Sequence, residues 1–162
     1  MTEHILQPEA RAFAEAAAVP PTLVERGVDG ARKLLDDVQS GPVDLPDVED
    51  EWITVPAAVG DVRVRIVKPA GTTGLLPVVL YVHGGGWVLG NAGTHDRLVR
   101  DLATGARAAI VFVEYTRSPE AQHPVAIEQA YATARWIIDN GAEKGLDAAR
   151  LAVAGDSVGG NM

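Results

Sequence analysis

The sequence predicts an α/β fold: a mostly parallel sheet with helices on both faces, preceded by a helical segment. Three observations predict it. Val62, Val64 and Ile66 alternate with Arg63 and Arg65. From Val78 onward, apolar runs of strand length alternate with segments of helical period. Two glycine-rich turns, one from His83 and one from Gly155, each follow directly on such a run.

Taken in order, the first forty residues read as helical. Leu6, Ala10, Phe13, Ala14 and Ala17 fall at helical spacing, with Pro8 suited to a first turn, and Pro20-Pro21 ends the helix. Thr22 with Glu25 forms a capping box that opens a second helix. Its apolar face is Val24, Val28, Ala31, Leu34, Leu35 and Val38; Gly27 and Gly30 weaken it, and Ser40-Gly41-Pro42 stops it. Val43–Asp50 reads as an acidic linker, with Asp44–Glu51 a solvated stretch. Trp52–Val55 and Val62–Val67 read as an antiparallel pair joined by Pro56–Asp61, the second strand half-buried. Lys68–Pro77 is expected as loop and Val78–Val82 as a strand covered on both faces. After the glycine-rich His83–Gly93, Thr94 is expected to cap a helix with Leu98, Val99, Leu102 and Ala103 on one side, ending at Gly105. Ala109–Val113 is the next buried strand. Pro124 opens a helix carrying Ile127, Ala130, Ala134 and Ile137, stopped near Asn140-Gly141, and Leu151–Ala154 is the last buried strand. Trp52 and Trp136 are assigned to the core.

Composition removes several function classes. The 162 residues are enough for one domain. Fourteen basic against 22 acidic residues, a net charge of −8, argue against a nucleic-acid partner, which needs clustered Lys and Arg. Without cysteine there is no disulfide, cysteine nucleophile or thiolate metal site. No apolar run approaches the ~18 residues of a membrane span, and Met1–His4 carries no basic leader, so a cytoplasmic location is expected. The last residue, Met162, falls inside the second glycine motif, so the chain is expected to be the N-terminal part of a longer protein.

The strongest chemical signal is Gly155-Asp156-Ser157-Val158-Gly159 immediately after a buried strand, the G-x-S-x-G pattern. A serine on a sharp strand-to-helix turn stands above the carboxyl edge of a sheet. Gly155 and Gly159 remove side chains that would collide across the bend, and the N–H groups that follow can face an anion. The second signal is His83-Gly84-Gly85-Gly86-Trp87, where glycines let main-chain N–H groups approach a ligand closely. Two such turns on one parallel sheet lie where open α/β sheets bind ligands. A glycine-rich turn that binds phosphate, or nothing, is the bland alternative for either motif alone. A nucleotide-binding domain is disfavoured, since neither G-x-x-x-x-G-K-[ST] nor G-x-G-x-x-G is present here.

Together the motifs resemble the oxyanion loop and nucleophile elbow of α/β-hydrolases, and more narrowly the hormone-sensitive-lipase-like carboxylesterases. His83–Gly90 resembles that family's H-G-G-G-W loop, and Gly155–Asn161 its G-D-S-A-G-G-N elbow with Val158 in place of Ala. Tyr115-Thr116-Arg117-Ser118-Pro119-Glu120, with Pro124, resembles its Y-R-L-A-P-E stretch. The resemblance covers roughly Val62 to the end. It implies a helical cap segment at 1–42 and the first part of a catalytic domain at 51–162.

By the same resemblance, Ser157 is the nucleophile, and the N–H groups of Gly84, Gly85, Gly86 and Val158 form the oxyanion hole. His83 positions its loop, and Asp156 is scaffolding of the elbow. The implied substrate is a small carboxylic ester, hydrolysed through an acyl-enzyme without metal or organic cofactor; a homo-oligomer is compatible with it. In this fold the triad acid and histidine follow the serine, so 1–162 is expected to lack both. None of His4, His83, His95 and His123 is assigned as base. The isolated chain is therefore expected to be inactive and, with Leu151–Ala154 at a bare sheet edge, prone to aggregate. The family also includes hormone receptors, so a non-catalytic small-molecule binding protein is the alternative. Arg117 and Glu120 are expected in a polar network behind the site.

Overall fold

The structure is a computed structural model that describes residues 6–162. Residues 1–5, with His4 and the start of the expected cap segment, lie outside the described residues. Helices α1 (Pro8–Ala17) and α2 (Gly27–Gln39) come first. The strands are β1 (Val48–Val55), β2 (Val62–Pro69), β3 (Leu76–Val82), β4 (Ala109–Glu114) and β5 (Leu146–Gly155). Helix α3 (Asp96–Ala106) connects β3 to β4, and α4 (Val125–Asn140) connects β4 to β5. Short 3₁₀ turns follow at Gly141–Lys144 and Ser157–Gly160. No helix among the described residues is long and apolar enough to cross a membrane.

The sheet runs β1-β2-β4-β3-β5. β4, β3 and β5 are parallel, as the helical crossovers require, while β1 and β2 are antiparallel to each other and β2 to β4. Strand alternation divides the core in two. Val78, Leu80 and Val82 of β3 and Ala109, Val111 and Val113 of β4 face α4 with Ala130 and Ile137. Tyr81, Ile110 and Phe112 face α3 with Val99 and Ala103. Val82 of β3 is in register with Gly155 of β5, so the two glycine turns leave adjacent strands at one edge of the sheet.

Several boundaries move from the sequence expectation. β1 begins at Val48, inside the expected linker, because Val48–Asp50 pairs with Val67–Pro69. Arg65, expected on a solvent face, is buried at 7% exposure; its guanidinium pairs with Asp50 and, at 2.5 Å, with Asp96 at the start of α3. β5 begins at Leu146, with Ala148–Arg150 bulging out opposite Pro77 and Val78. Thr94 does not cap α3. Its hydroxyl closes a turn with Asn91, accepting the Asn91 N–H and donating to the Asn91 carbonyl, both at 2.9 Å. That helix ends on Arg107 in the left-handed region (φ 50°), not at Gly105.

The Thr22–Glu25 capping box does form, with the Thr22 N–H 2.7 Å from the Glu25 carboxylate, but it closes a turn; α2 starts only at Gly27, where φ is +66°. On α4 the buried residues are Gln129, Ala130, Thr133 and Ile137, whereas Ile127 is exposed. Gln129 is drawn in because its amide accepts the Thr116 N–H (2.8 Å) and donates to the Gly60 carbonyl (3.1 Å). Trp136 packs against the core as expected. Trp52 does not: it is 39% exposed, with the Arg63 guanidinium 4.3 Å above its ring. Helix α1 buries none of its residues, and Phe13 is 63% exposed.

Candidate active site

Ser157 stands one residue past the end of β5 and holds φ at +51°, a left-handed conformation that costs a non-glycine residue of order 1–2 kcal/mol. The tightness of the bend explains the flanking glycines. A Cβ on Gly159 would run into the Val82 carbonyl, and one on Gly155 would lie 2.6 Å from the same oxygen. The elbow is thus folded onto the end of β3, where the second glycine turn begins. In that turn Gly85 has φ +112°, and a Cβ there would strike the Leu89 carbonyl. The Leu89 N–H returns 2.8 Å to the Gly85 carbonyl and closes the loop.

Asp156 joins the two turns. Its Oδ1 accepts the Gly84 N–H at 2.9 Å and the Tyr81 hydroxyl at 2.8 Å, with His95 Nε2 3.5 Å away. Burial pushes the Asp156 carboxyl up, but the bonds from Tyr81 and Gly84 outweigh it and hold the group below its ordinary value. Burial and the Asp156 charge push the Tyr81 phenol up, so it stays a hydrogen-bond donor.

This contact changes the inventory of oxyanion donors. The Gly84 N–H is spent on Asp156 and does not face the site as expected. Among the described residues, no protein acceptor is paired with the N–H groups of Gly85, Gly86 or Val158. Nor does any side chain there hydrogen-bond the exposed Ser157 hydroxyl.

His83 is fully buried, with its ring stacked on Tyr115 (4.2 Å between centroids) and Phe112 (5.3 Å). Nδ1 donates to the Gly84 carbonyl at 2.7 Å, while Nε2 has no partner among the described residues. Burial lowers its pKa to about 4, so the ring is neutral and serves the loop, with the Tyr115 hydroxyl on the His83 carbonyl at 3.0 Å. His95 Nδ1 lies 2.9 Å from the Thr94 hydroxyl, and His123 lines the neighbouring cavity. Neither is bonded to Ser157.

That cavity, of about 360 Å³, is walled by Gly86 and Trp87 on one side and by Ser118, Ala121 and Ile127 on the other; Asn161 and Met162, just past the elbow, complete it. Arg117 reaches back to the Gly90 carbonyl at 2.6 Å, and Glu120 pairs with Arg32 of α2 at 2.6 Å. An open cleft lies between Val28 and Ala31 of α2 and Gly85, Gly86 and Val88 of the loop. Sequence reasoning missed Tyr81 and Arg32, and it placed His95 near the site without its tie to Asp156. Only Tyr81 left a signal there: it stands two residues before His83 on the same strand face.

A hydroxyl on a strained bend beside unpaired main-chain N–H groups is suited to attack a carbonyl and to stabilise the charge that forms on its oxygen. The chain is similar to known esterases. Carboxylesterase NlhH of Mycobacterium tuberculosis is 44% identical over 137 residues, 84% of this chain and 43% of that protein. Esterase LipI of the same organism is 40% identical over 148 residues, 90% of this chain and 46% of that protein.

Among solved structures, a thermostable esterase from Pseudomonas putida superposes with a TM-score of 0.91 at 43% identity, covering 99% of this chain and 51% of that one. An esterase from Pyrobaculum calidifontis gives 0.82 at 35% identity, covering 97% and 50%. The chain spans about half the length of the relatives it matches. Residues 79–162 match the family described as alpha/beta hydrolase fold. With strand order, elbow and glycine loop all in agreement, the chain belongs to the α/β-hydrolase family.

Proposed function

We propose that this chain supplies the nucleophile and oxyanion hole of a carboxylic ester hydrolase acting on small esters. One observation carries the reading: Ser157, at φ +51° just past β5, stands beside the end of β3 and a loop whose Gly85 and Gly86 N–H groups have no protein acceptor among the described residues. The Ser157 oxygen adds to the ester carbonyl, and the N–H groups of Gly85, Gly86 and Val158 take the charge on the carbonyl oxygen. Collapse of the intermediate breaks the bond to the alcohol oxygen, which leaves with a proton. Water then attacks the acyl-serine and releases the carboxylic acid. Gly84 supports the hole indirectly, by anchoring the loop to Asp156.

A serine hydroxyl needs a base to accept its proton. No histidine among the described residues hydrogen-bonds Ser157, and the chain spans about half the length of its relatives, so we assign hydrolysis to a full-length protein in which the histidine and its acid follow the serine as in this fold. Helices α1 and α2 form the cap: α2 lies along the glycine loop and limits access to it. The 360 Å³ cavity is of a size for a short acyl or alcohol group. The test is hydrolysis of p-nitrophenyl acetate and butyrate by the full-length protein and its Ser157→Ala variant. The variant should lose at least ~10³-fold in kcat; equal rates for the two proteins discard the assignment.

A further inference from the structure

On α2, outside both motifs, one side chain touches both the glycine loop and the Ser118 segment across the cavity from it. Arg32 Nε donates to the Val88 carbonyl at 2.9 Å, in the glycine loop, and one terminal nitrogen donates to the Ser118 carbonyl at 3.0 Å, in the opposite wall. The fork also closes on Glu120, at 2.6 and 2.8 Å. The Arg32 side chain is only 15% exposed, against 53% for Glu120, so the guanidinium is seated between main-chain segments while its carboxylate partner faces water. Beside it the Ser118 N–H donates to the Trp87 carbonyl at 2.8 Å, a second tie between the same two segments.

We propose that Arg32 is a positioning residue for the oxyanion hole: it fixes the glycine loop against the Ser118–Glu120 turn and so sets Gly85 and Gly86 at their distance from Ser157. The role rests on the hydrolase reading. An exposed ion pair alone contributes little, so the two carbonyl contacts are what matter. Val88 lies two residues beyond Gly86, inside the turn closed by Leu89 on Gly85. A shift of the Val88 carbonyl therefore moves the Gly86 N–H. Lysine cannot replace this fork, because one ammonium cannot reach two carbonyls and a bidentate carboxylate in fixed geometry. The Arg32 hydrogen bonds hold the Glu120 carboxyl at about 2, so the assembly persists through neutral and mildly acidic pH.

The experiment uses the full-length protein with Arg32→Lys, Arg32→Ala and Glu120→Gln. The readouts are kcat and KM on p-nitrophenyl butyrate, inhibition by an alkylboronic acid and the thermal midpoint. Arg32→Lys should lower kcat about tenfold with KM within about twofold, and weaken boronic acid binding by the same factor, since that adduct uses the oxyanion donors. Added guanidinium should restore part of kcat to Arg32→Ala, and Glu120→Gln, which keeps both carbonyl bonds, should stay within about threefold. The proposal is overturned if Arg32→Lys keeps kcat and boronic acid affinity, or if it loses only thermal stability. An unmodified protein that hydrolyses no ester would instead overturn the hydrolase reading beneath it.

Discussion

Gly159 and His83 show how much the site asks of single residues. The Val82 carbonyl occupies the place a Cβ would take at Gly159. Gly159→Ala must therefore push the Ser157–Gly160 turn off the end of β3, and should cost about 2 kcal/mol or more, read as a drop in the denaturation midpoint. His83 titrates at about 4 when folded because burial disfavours the charged ring. The unfolded chain, with an ordinary imidazole, binds the proton first, so stability is intact above about pH 6.5 and falls as pH drops toward 4, by of order 3 kcal/mol. Urea titrations of the full-length protein at pH 7 and 4.5 should show that loss. A His83→Phe variant, which keeps the stacking on Tyr115 and Phe112, should show much less of it; an unchanged pH dependence there removes His83 as the cause.

Among the elements, the β1-β2-α3 corner is held by charge. Arg65 bridges Asp50 and Asp96, and Asp96 also accepts from Arg100 at 2.8 Å. Arg65→Ala leaves Asp50 without its cation and Asp96 with Arg100 alone. It should destabilise by about 2–3 kcal/mol in chemical denaturation, less than a fully buried pair because Asp50 keeps partial contact with water. This corner also shows where sequence patterning stops. Runs such as Val78–Val82 and Ala109–Val113 were legible because burial on both faces leaves a continuous apolar signature. Arg65 was not, since strict alternation assigns it to solvent and its partners lie on β1 and α3. Gln129 and Ile127 exchanged roles for a similar reason: the Thr116 and Gly60 main-chain groups that draw Gln129 inward are distant in sequence. The nucleophile elbow and glycine loop could be found because their chemistry is local. The tie between them, Asp156 to Gly84, spans 72 residues and appears only in the fold.

For the molecule as a whole, the sheet is unevenly protected. β5 pairs with β3 on one side and forms the sheet's edge, and its Val153 is 70% exposed. An apolar edge strand offers its free N–H and C=O groups to other chains. The 162-residue chain by itself should self-associate at micromolar concentration, as followed by light scattering, and Val153→Lys should reduce that association; a monomeric, cooperatively melting chain contradicts the expectation. The two N-terminal helices are tied on only locally: α1 buries none of its residues, while α2 is bonded through Arg32. The pairing of Val82 with Gly155 has its own consequence. The hydrogen-bond ladder between the two strands works as a ruler for the chemistry. A slip of one residue would carry the serine about 3.3 Å along the strand axis and turn every β5 side chain to the opposite face, so strand alignment brings the Ser157 hydroxyl and the Gly85 and Gly86 N–H groups to the same place before the loop makes any finer adjustment.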